Sequence, residues 1–117
     1  MLFEVEIFEN NGENHVQSHL DSLKKTCKPL WLKVIGYLRN RVQESQNHVM
    51  PFWKPLGDGI FEIRHRVSRQ ISRIYGCYNG KGKIMLLCGG SKKGQKADIK
   101  KAVELKIKLK GEKNEKN

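Results

Sequence analysis

Apolar and polar residues alternate from the third position of the chain. Phe3, Val5 and Ile7 fall on one side of an extended segment and Glu4 and Glu6 on the other, which predicts a half-buried strand over 3–8. Asn10, Asn11 and Gly12 end it. The period then lengthens. Val16, Leu20, Leu23 and Cys27 recur at helical spacing and predict a helix over 13–27. Pro29 marks the start of a second helix, because proline fits the first helical turn. The face predicted to turn inward carries Trp31, Ile35, Leu38 and Val42, with Leu30 and Val34 beside them. Two amphipathic helices across so short a break predict a helical hairpin.

Residues 50–59 hold two prolines and two glycines and read as a connecting loop whose Phe52, Trp53 and Leu56 tuck against the core. Three strands follow. In the first, 60–66, Phe61 and Ile63 share one face while Glu62 and Arg64 share the other, so Arg64 is expected on the solvent side. The second runs over 70–78 with Arg73 inside it, and Asn79-Gly80-Lys81-Gly82 is a hairpin signal. The third, 84–88, is apolar without alternation, as a strand covered on both faces would be. Beyond Gly89, Gly90 and the SKKGQK segment, residues 97–110 fit a helix by Ile99, Ala102, Val103 and Leu109. Val103, Leu105, Ile107 and Leu109 also alternate as a strand would; length and Lys/Ala/Glu/Leu content favour the helix. Residues 111–117 read as a frayed tail. The order β-α-α-β-β-β-α predicts an α+β fold: a small twisted antiparallel sheet with helices packed on one face.

The length of 117 residues fits one domain over 1–117 with a single modest core. No apolar run is long enough to span a bilayer, and the acidic, alternating start is unlike a signal peptide, so a cytoplasmic protein without a membrane partner is expected. Cys27, Cys77 and Cys88 are odd in number and form no CxxC pair; they read as small buried residues in a reducing compartment. The formal net charge of +11 changes the picture, because a surplus of that size repels itself and calls for an anionic partner. Nucleic acid is the common one and an anionic membrane surface the rarer.

The surplus is localised. Arg64, Arg66, Arg69 and Arg73 stand with His65 in a stretch that has no acid. From Lys92 onward ten lysines face four acids, a surplus of six, whereas the first nine residues carry three acids and no base. An arginine fixed on a strand presents a rigid fork to phosphate. The loop leaving the last strand can bring Lys92, Lys93, Gln95 and Lys96 to the same rim, with Lys100 and Lys101 behind them. The bland alternatives are that the lysines solvate the surface and that Arg73 pairs with Glu62 on the neighbouring strand.

No HExxH, GxSxG, P-loop or acidic metal cluster occurs. His15 and His19 sit four residues apart on a helix, a spacing more often found on plain helix surface than at a metal, so neither metal nor cofactor is expected. A cationic site remains. RNA carries its own nucleophile, the 2′-hydroxyl, and its cleavage needs in-line orientation, neutralisation of the pentavalent phosphate and proton transfer. Arginine meets the second need, a lysine among other cations can meet the third, and His65, Tyr75 or Tyr78 could move a proton or stack on a base.

The stretch from Lys54 to Lys96 resembles the phage-derived Gp49-like, HigB-type branch of the RelE/HigB-like toxin superfamily. The resemblance rests on LGDGIFEIR (56–64), SRIYGCY (72–78), and an apolar strand followed by KKGQK (92–96) and a basic helix. It implies a RelE-like fold and the toxin of a type II toxin–antitoxin system: a cytoplasmic, ribosome-dependent messenger-RNA endoribonuclease that cleaves the message in the A site. It implies as partners the translated mRNA and a cognate, HigA-like antitoxin with a helix-turn-helix part. Residue by residue, Arg64 matches the arginine of the family's ELR strand, Arg73 that of its YR strand, and Lys92, Lys93, Gln95 and Lys96 its K-K-x-Q-K loop. Ser72 stands where an aromatic is common, and Cys88-Gly89-Gly90 where His-Gly-Phe is common. The expected catalytic set is Arg64, Arg73, Lys93 and Lys96, with Arg66, Arg69, Lys92, Gln95, Lys100 and Lys101 binding RNA. A non-catalytic nucleic-acid-binding protein, or a toxin that has lost its activity, is the alternative.

Overall fold

The computed structural model describes residues 2–44, 48, 52–80, 82–91 and 93–115. The elements follow the order β1 (Glu4–Ile7), α1 (His15–Thr26), α2 (Lys28–Asn40), β2 (Trp53–Gly57), β3 (Ile60–Val67), β4 (Gln70–Tyr78), β5 (Lys83–Gly90) and α3 (Gln95–Glu115). The strands form one sheet in the order β1-β5-β4-β3-β2. β2 to β5 make the antiparallel meander, but β1 pairs with β5 in parallel, so the α+β fold has a mixed sheet rather than a purely antiparallel one. The long α1–α2 connection makes this possible, since a chain that crosses over the sheet can return in either direction.

The segment expected as a loop over 50–59 contains β2. Its Pro55 costs no ladder bond because β2 is an edge strand, paired to β3 alone. Trp53 is buried as expected, and Phe52 and Leu56 pack against the core; Met50 and Pro51 lie outside the described residues. Gly57, Asp58 and Gly59 all take positive φ in the turn into β3. The β4–β5 turn has Gly80 and Gly82 at positive φ, in keeping with its hairpin signal. Lys81 lies outside the described residues.

α1 begins one residue after Asn14, whose side chain accepts from the Gln17 amide at 2.9 Å. Val16, Leu20 and Leu23 turn inward. Cys27 ends α1 and starts α2, with Pro29 in the first turn. On α2 the innermost residues are Leu30, Val34 and Tyr37, while Trp31, Ile35 and Leu38 are half-buried. The helix is therefore rotated from the expected stripe. Its apolar arc is wide enough that the centre, not one edge, meets the sheet.

Two apolar clusters lie on opposite faces of the sheet. One joins α1 and α2 to Phe61, Ile63, Ile74, Ile84 and Leu86. The other joins α3, through Ala102 and Leu105, to Ile60, Tyr75, Cys77, Met85, Leu87 and Cys88. Helices thus cover both faces, not one, and the face bearing Glu62 and Arg64 is not a solvent face. The cause is β5, whose residues Ile84 to Cys88 are all buried and need cover on both sides. A bulge where β4 passes from Tyr75 to Gly76 skips Leu87 and turns both Leu87 and Cys88 toward α3. The ambiguous last segment is a helix, and it continues past Lys110 to Glu115; Ile107, which alternation would have buried, is 64 % exposed. Among the described residues no helix is long and apolar enough to cross a membrane.

Two histidines belong to this core. Nε2 of His19 lies 2.8 Å from Oγ of buried Ser72, and His65 packs edge-on against Tyr37 at 4.7 Å. Burial pushes the His19 imidazole down to about 4; burial, helped by Lys33, does the same to His65. Both rings are neutral at pH 7, and the unfolded chain binds more protons as the pH falls from 6.5 toward 4. Stability is then full above that window, declines within it and levels off below it. The His19 share is of order 3 kcal/mol at most. Urea unfolding should show a midpoint that drops between neutral and mildly acidic pH, and a drop made shallower by His19→Gln. An equal drop in parent and variant would mean that His19 keeps its ordinary pKa in the fold.

Candidate functional site

Arg64 of β3 and Arg73 of β4 are direct cross-strand partners, and Gly90 of β5 is the next residue along the same row. The adjacent row reads Glu62, Tyr75 and Cys88. Two arginines placed opposite each other repel, so the arrangement needs an acid close by. Glu62 supplies it from within the sheet. It is 1 % exposed, and its Oε2 lies 3.8 Å from Nε of Arg73 while accepting a 3.1 Å hydrogen bond from Nε2 of Gln95 in the first turn of α3. The contact with Nε is an ion pair rather than a hydrogen bond. A terminal nitrogen of Arg73 donates to the Ser91 carbonyl at 3.3 Å. Arg73 therefore ties β3, β4 and the segment after β5 together, and it is itself buried.

Asp98 closes the other side. A Cβ on Gly90 would come within 2.0 Å of Asp98 Oδ2, so glycine at this point is what lets α3 lie against the sheet. Burial raises the Asp98 carboxyl above its ordinary range, with Lys101 and Arg73 pulling the other way. Cys88 donates to the Asp98 carbonyl at 3.6 Å, and burial pushes its thiol up to about 12, so it stays protonated and is no nucleophile.

Arg64 differs from its partner. It is half-buried, and among the described residues no hydrogen bond or ion pair holds its guanidinium. It lines a cavity of about 330 Å³ together with Lys33, Phe52, His65, Arg66 and Ile71. Arg66 and Arg69 are exposed, Arg69 in the tight turn between Val67 and Gln70. Lys93 and Lys96 are exposed on either side of Gln95, and Lys100 and Lys101 are exposed on the next turn of α3. Lys92 lies outside the described residues. The chain thus brings Arg73 and Gln95 together through Glu62, with Arg64 beside Arg73 on the neighbouring strand and Lys93 and Lys96 flanking Gln95 in sequence.

The three residues considered for proton transfer or stacking lie elsewhere or are enclosed. His65 points to the opposite face, where its ring stacks near Phe52 at 5.4 Å. Tyr75 is fully buried, its hydroxyl has no hydrogen-bond partner among the described residues, and burial beside Glu62 raises its pKa. Tyr78 is half exposed at the far end of β4, about 17 Å along the strand from Arg73. Its hydroxyl lies 3.3 Å from Nδ1 of His48. Sequence reasoning did not find the bridge from Glu62 to Gln95, nor Asp98 and Lys33. The signal available was Glu62 itself, an acid between two core residues.

Two departures from the family pattern make a packing unit of their own. Ser72 and Gly89 sit on the α1 side of the sheet, where Ser72 bonds His19 and a Cβ on Gly89 would come within 2.6 Å of the His19 ring. A small residue at each position makes room for that imidazole.

Residues 18–110 match the family model described as Phage derived protein Gp49-like (DUF891). The chain belongs to that family, a HigB/RelE-like toxin family, and its α+β architecture is compatible with a small RelE-like fold. Membership suggests a phage-derived, toxin-like protein with an antitoxin as partner. No curated protein matches the chain.

Removing Arg73 leaves the Glu62 carboxylate buried without its cation. Arg73→Ala should lower unfolding free energy by about 3 kcal/mol. Combining it with Glu62→Leu should cost less than the two single changes added together, as read by urea denaturation. Strict additivity would show that the pair is not coupled.

Proposed function

We propose that this chain is the toxin of a type II toxin–antitoxin pair and that it cleaves messenger RNA on the ribosome, by attack of the RNA's own 2′-hydroxyl and without a metal. The observation that carries the reading is Arg64: a half-buried guanidinium with no partner among the described residues, fixed on a strand beside an anchored second arginine, in a chain of a toxin family. Such a group is placed to meet a phosphate in a partly desolvated setting, where charge neutralisation counts most. Arg73, held by Glu62, fixes the position of Arg64's strand. Lys93 and Lys96 are the proton-transfer groups: one takes the proton of the 2′-hydroxyl as the new P–O bond forms, and the other protonates the departing 5′-oxygen. Arg66, Arg69, Lys92, Gln95, Lys100 and Lys101 extend the cationic surface along the RNA backbone. The ribosomal A site supplies in-line orientation. The antitoxin is a HigA-like, helix-turn-helix protein.

A second reading, an RNA-binding protein that does not cut, is favoured by one observation: Tyr75 and His65 are enclosed, which leaves proton transfer to lysines alone. Expression in a bacterial host separates the two. Arrest of growth with message cut inside translated frames is expected of the parent, and Arg64→Ala should reduce cleavage by about 100-fold or more while the folded protein accumulates. Full toxicity of Arg64→Ala would remove that arginine from the site. Binding to translating ribosomes without any cut would establish the second reading.

A further inference from the structure

The cavity beside Arg64 is one half of a longer feature. A second cavity, of about 340 Å³, is lined by Leu32, Lys33, Gly36, Tyr37, Asn40, Arg41, Phe52 and His65. The two share Lys33, Phe52 and His65. Together they make a trough from β3 onto the outer side of α2, and among the described residues no acid lines either part. Cations stand along it: Arg64 and Arg66 at the strand end, Lys33 in the middle and Arg41 at the helix end. Between them lies Phe52, half-buried, its ring backed at 5.4 Å by that of His65, which is itself buried and neutral because burial and Lys33 hold its pKa near 4. Cations on either side of an accessible aromatic ring are the composition that takes a single nucleic-acid strand, phosphates on the cations and a base against the Phe52 ring.

Among the described residues, β2 pairs with β3 no further than Trp53 with Ile63, and the Arg64 amide donates to the Phe52 carbonyl at 2.8 Å. Lys33 reaches across from α2 and donates to the Arg66 carbonyl of β3 at 3.1 Å. This contact holds the ammonium group over the trough, and the side chain remains exposed.

We infer that this trough binds the RNA strand next to the scissile phosphate, with Lys33 as its central phosphate contact; the inference rests on the proposed RNA substrate and on Arg64 as the wall common to both. The strand then passes from the Arg64–Arg73 row across Phe52 onto α2, away from α3. Lys33 is a binding residue, not a catalytic one. Leu32, 55 % exposed beside it, borders the same path.

The test uses the full chain and a short single-stranded RNA methylated at its 2′-oxygens, so that it binds uncut. Affinity is measured over a range of salt for the parent, Lys33→Ala, Lys33→Glu, Leu32→Glu and Lys108→Glu, the last a surface charge reversal on α3. Lys33→Ala should lower the salt slope by about 0.7, one phosphate contact on a single strand. Lys33→Glu and Leu32→Glu should weaken binding by about ten-fold or more, and Lys108→Glu by much less. Circular dichroism checks the fold of each variant. If the parent binds and cuts but the Lys33 and Leu32 variants match it in affinity and slope, the trough is not the path, while the proposed nuclease stands. If the parent binds no RNA, the trough inference falls, while the ribosome-dependent nuclease is judged by its own cleavage test. Variants that bind RNA normally but lose a poly-glutamate peptide would assign the trough to an acidic polypeptide and overturn the inference.

Discussion

A carboxylate inside a sheet has to be answered by a cation and by hydrogen bonds, or it destabilises everything packed around it. In this chain the carboxylate is Glu62, and the groups that answer it are Arg73 from the neighbouring strand and Gln95 from the start of the last helix. That constraint decides where α3 begins and which way the segment after β5 runs. It also forces Arg73 into a fixed, buried position and leaves Arg64, its cross-strand partner, as the guanidinium of the row without an acid. The two arginines of the row thus differ: Arg73 is held in the sheet by an acid, and Arg64 has no hydrogen bond or ion pair among the described residues.

The two faces of the sheet follow from this division. Toward α1 and α2 the strands bury an apolar core with two neutral histidines in it. Toward α3 the strands bury apolar residues at one end and the Glu62–Arg73–Asp98 group at the other. Lys33, Arg64 and Arg66 line one cavity where β3 meets the outer side of α2, and Lys93 and Lys96 are exposed at the start of α3. Other cations, among them Lys24, Lys25, Arg39, Lys54 and Lys83, are exposed elsewhere on the surface.

Much of the fold is legible in the sequence. The helical spacing of Val16, Leu20 and Leu23, the alternation in β3 and the unbroken apolar run of β5 each reflect local geometry that a residue pattern carries directly. Less legible were facts that depend on distant partners. Pro55 disguised β2, because only its place at the sheet edge makes a proline harmless there. The parallel pairing of β1 depends on how α1 and α2 cross the sheet, which no strand pattern encodes. Glu62 and Arg64 alternate with core residues as solvent-facing positions do, and the helix whose Gln95 meets Glu62 begins more than thirty residues further along the chain. Lys33 looked like any exposed helix lysine until β3 came to lie beside it. In the resemblance, Arg64, Arg73 and the lysines around Gln95 were legible as a set; that Arg73 is held by Glu62 was legible only as an alternative.

The proposed nuclease activity predicts how a phosphodiester would be broken. Attack by the 2′-hydroxyl leaves a 2′,3′-cyclic phosphate on one fragment and a 5′-hydroxyl on the other, whereas attack by water forms no cyclic phosphate. The direct measurement is the end chemistry of message cut by the purified protein on reconstituted translating ribosomes. Cyclic phosphate and 5′-hydroxyl ends are predicted; fragments with 3′-hydroxyl and 5′-phosphate ends, or no cut at all, would contradict it.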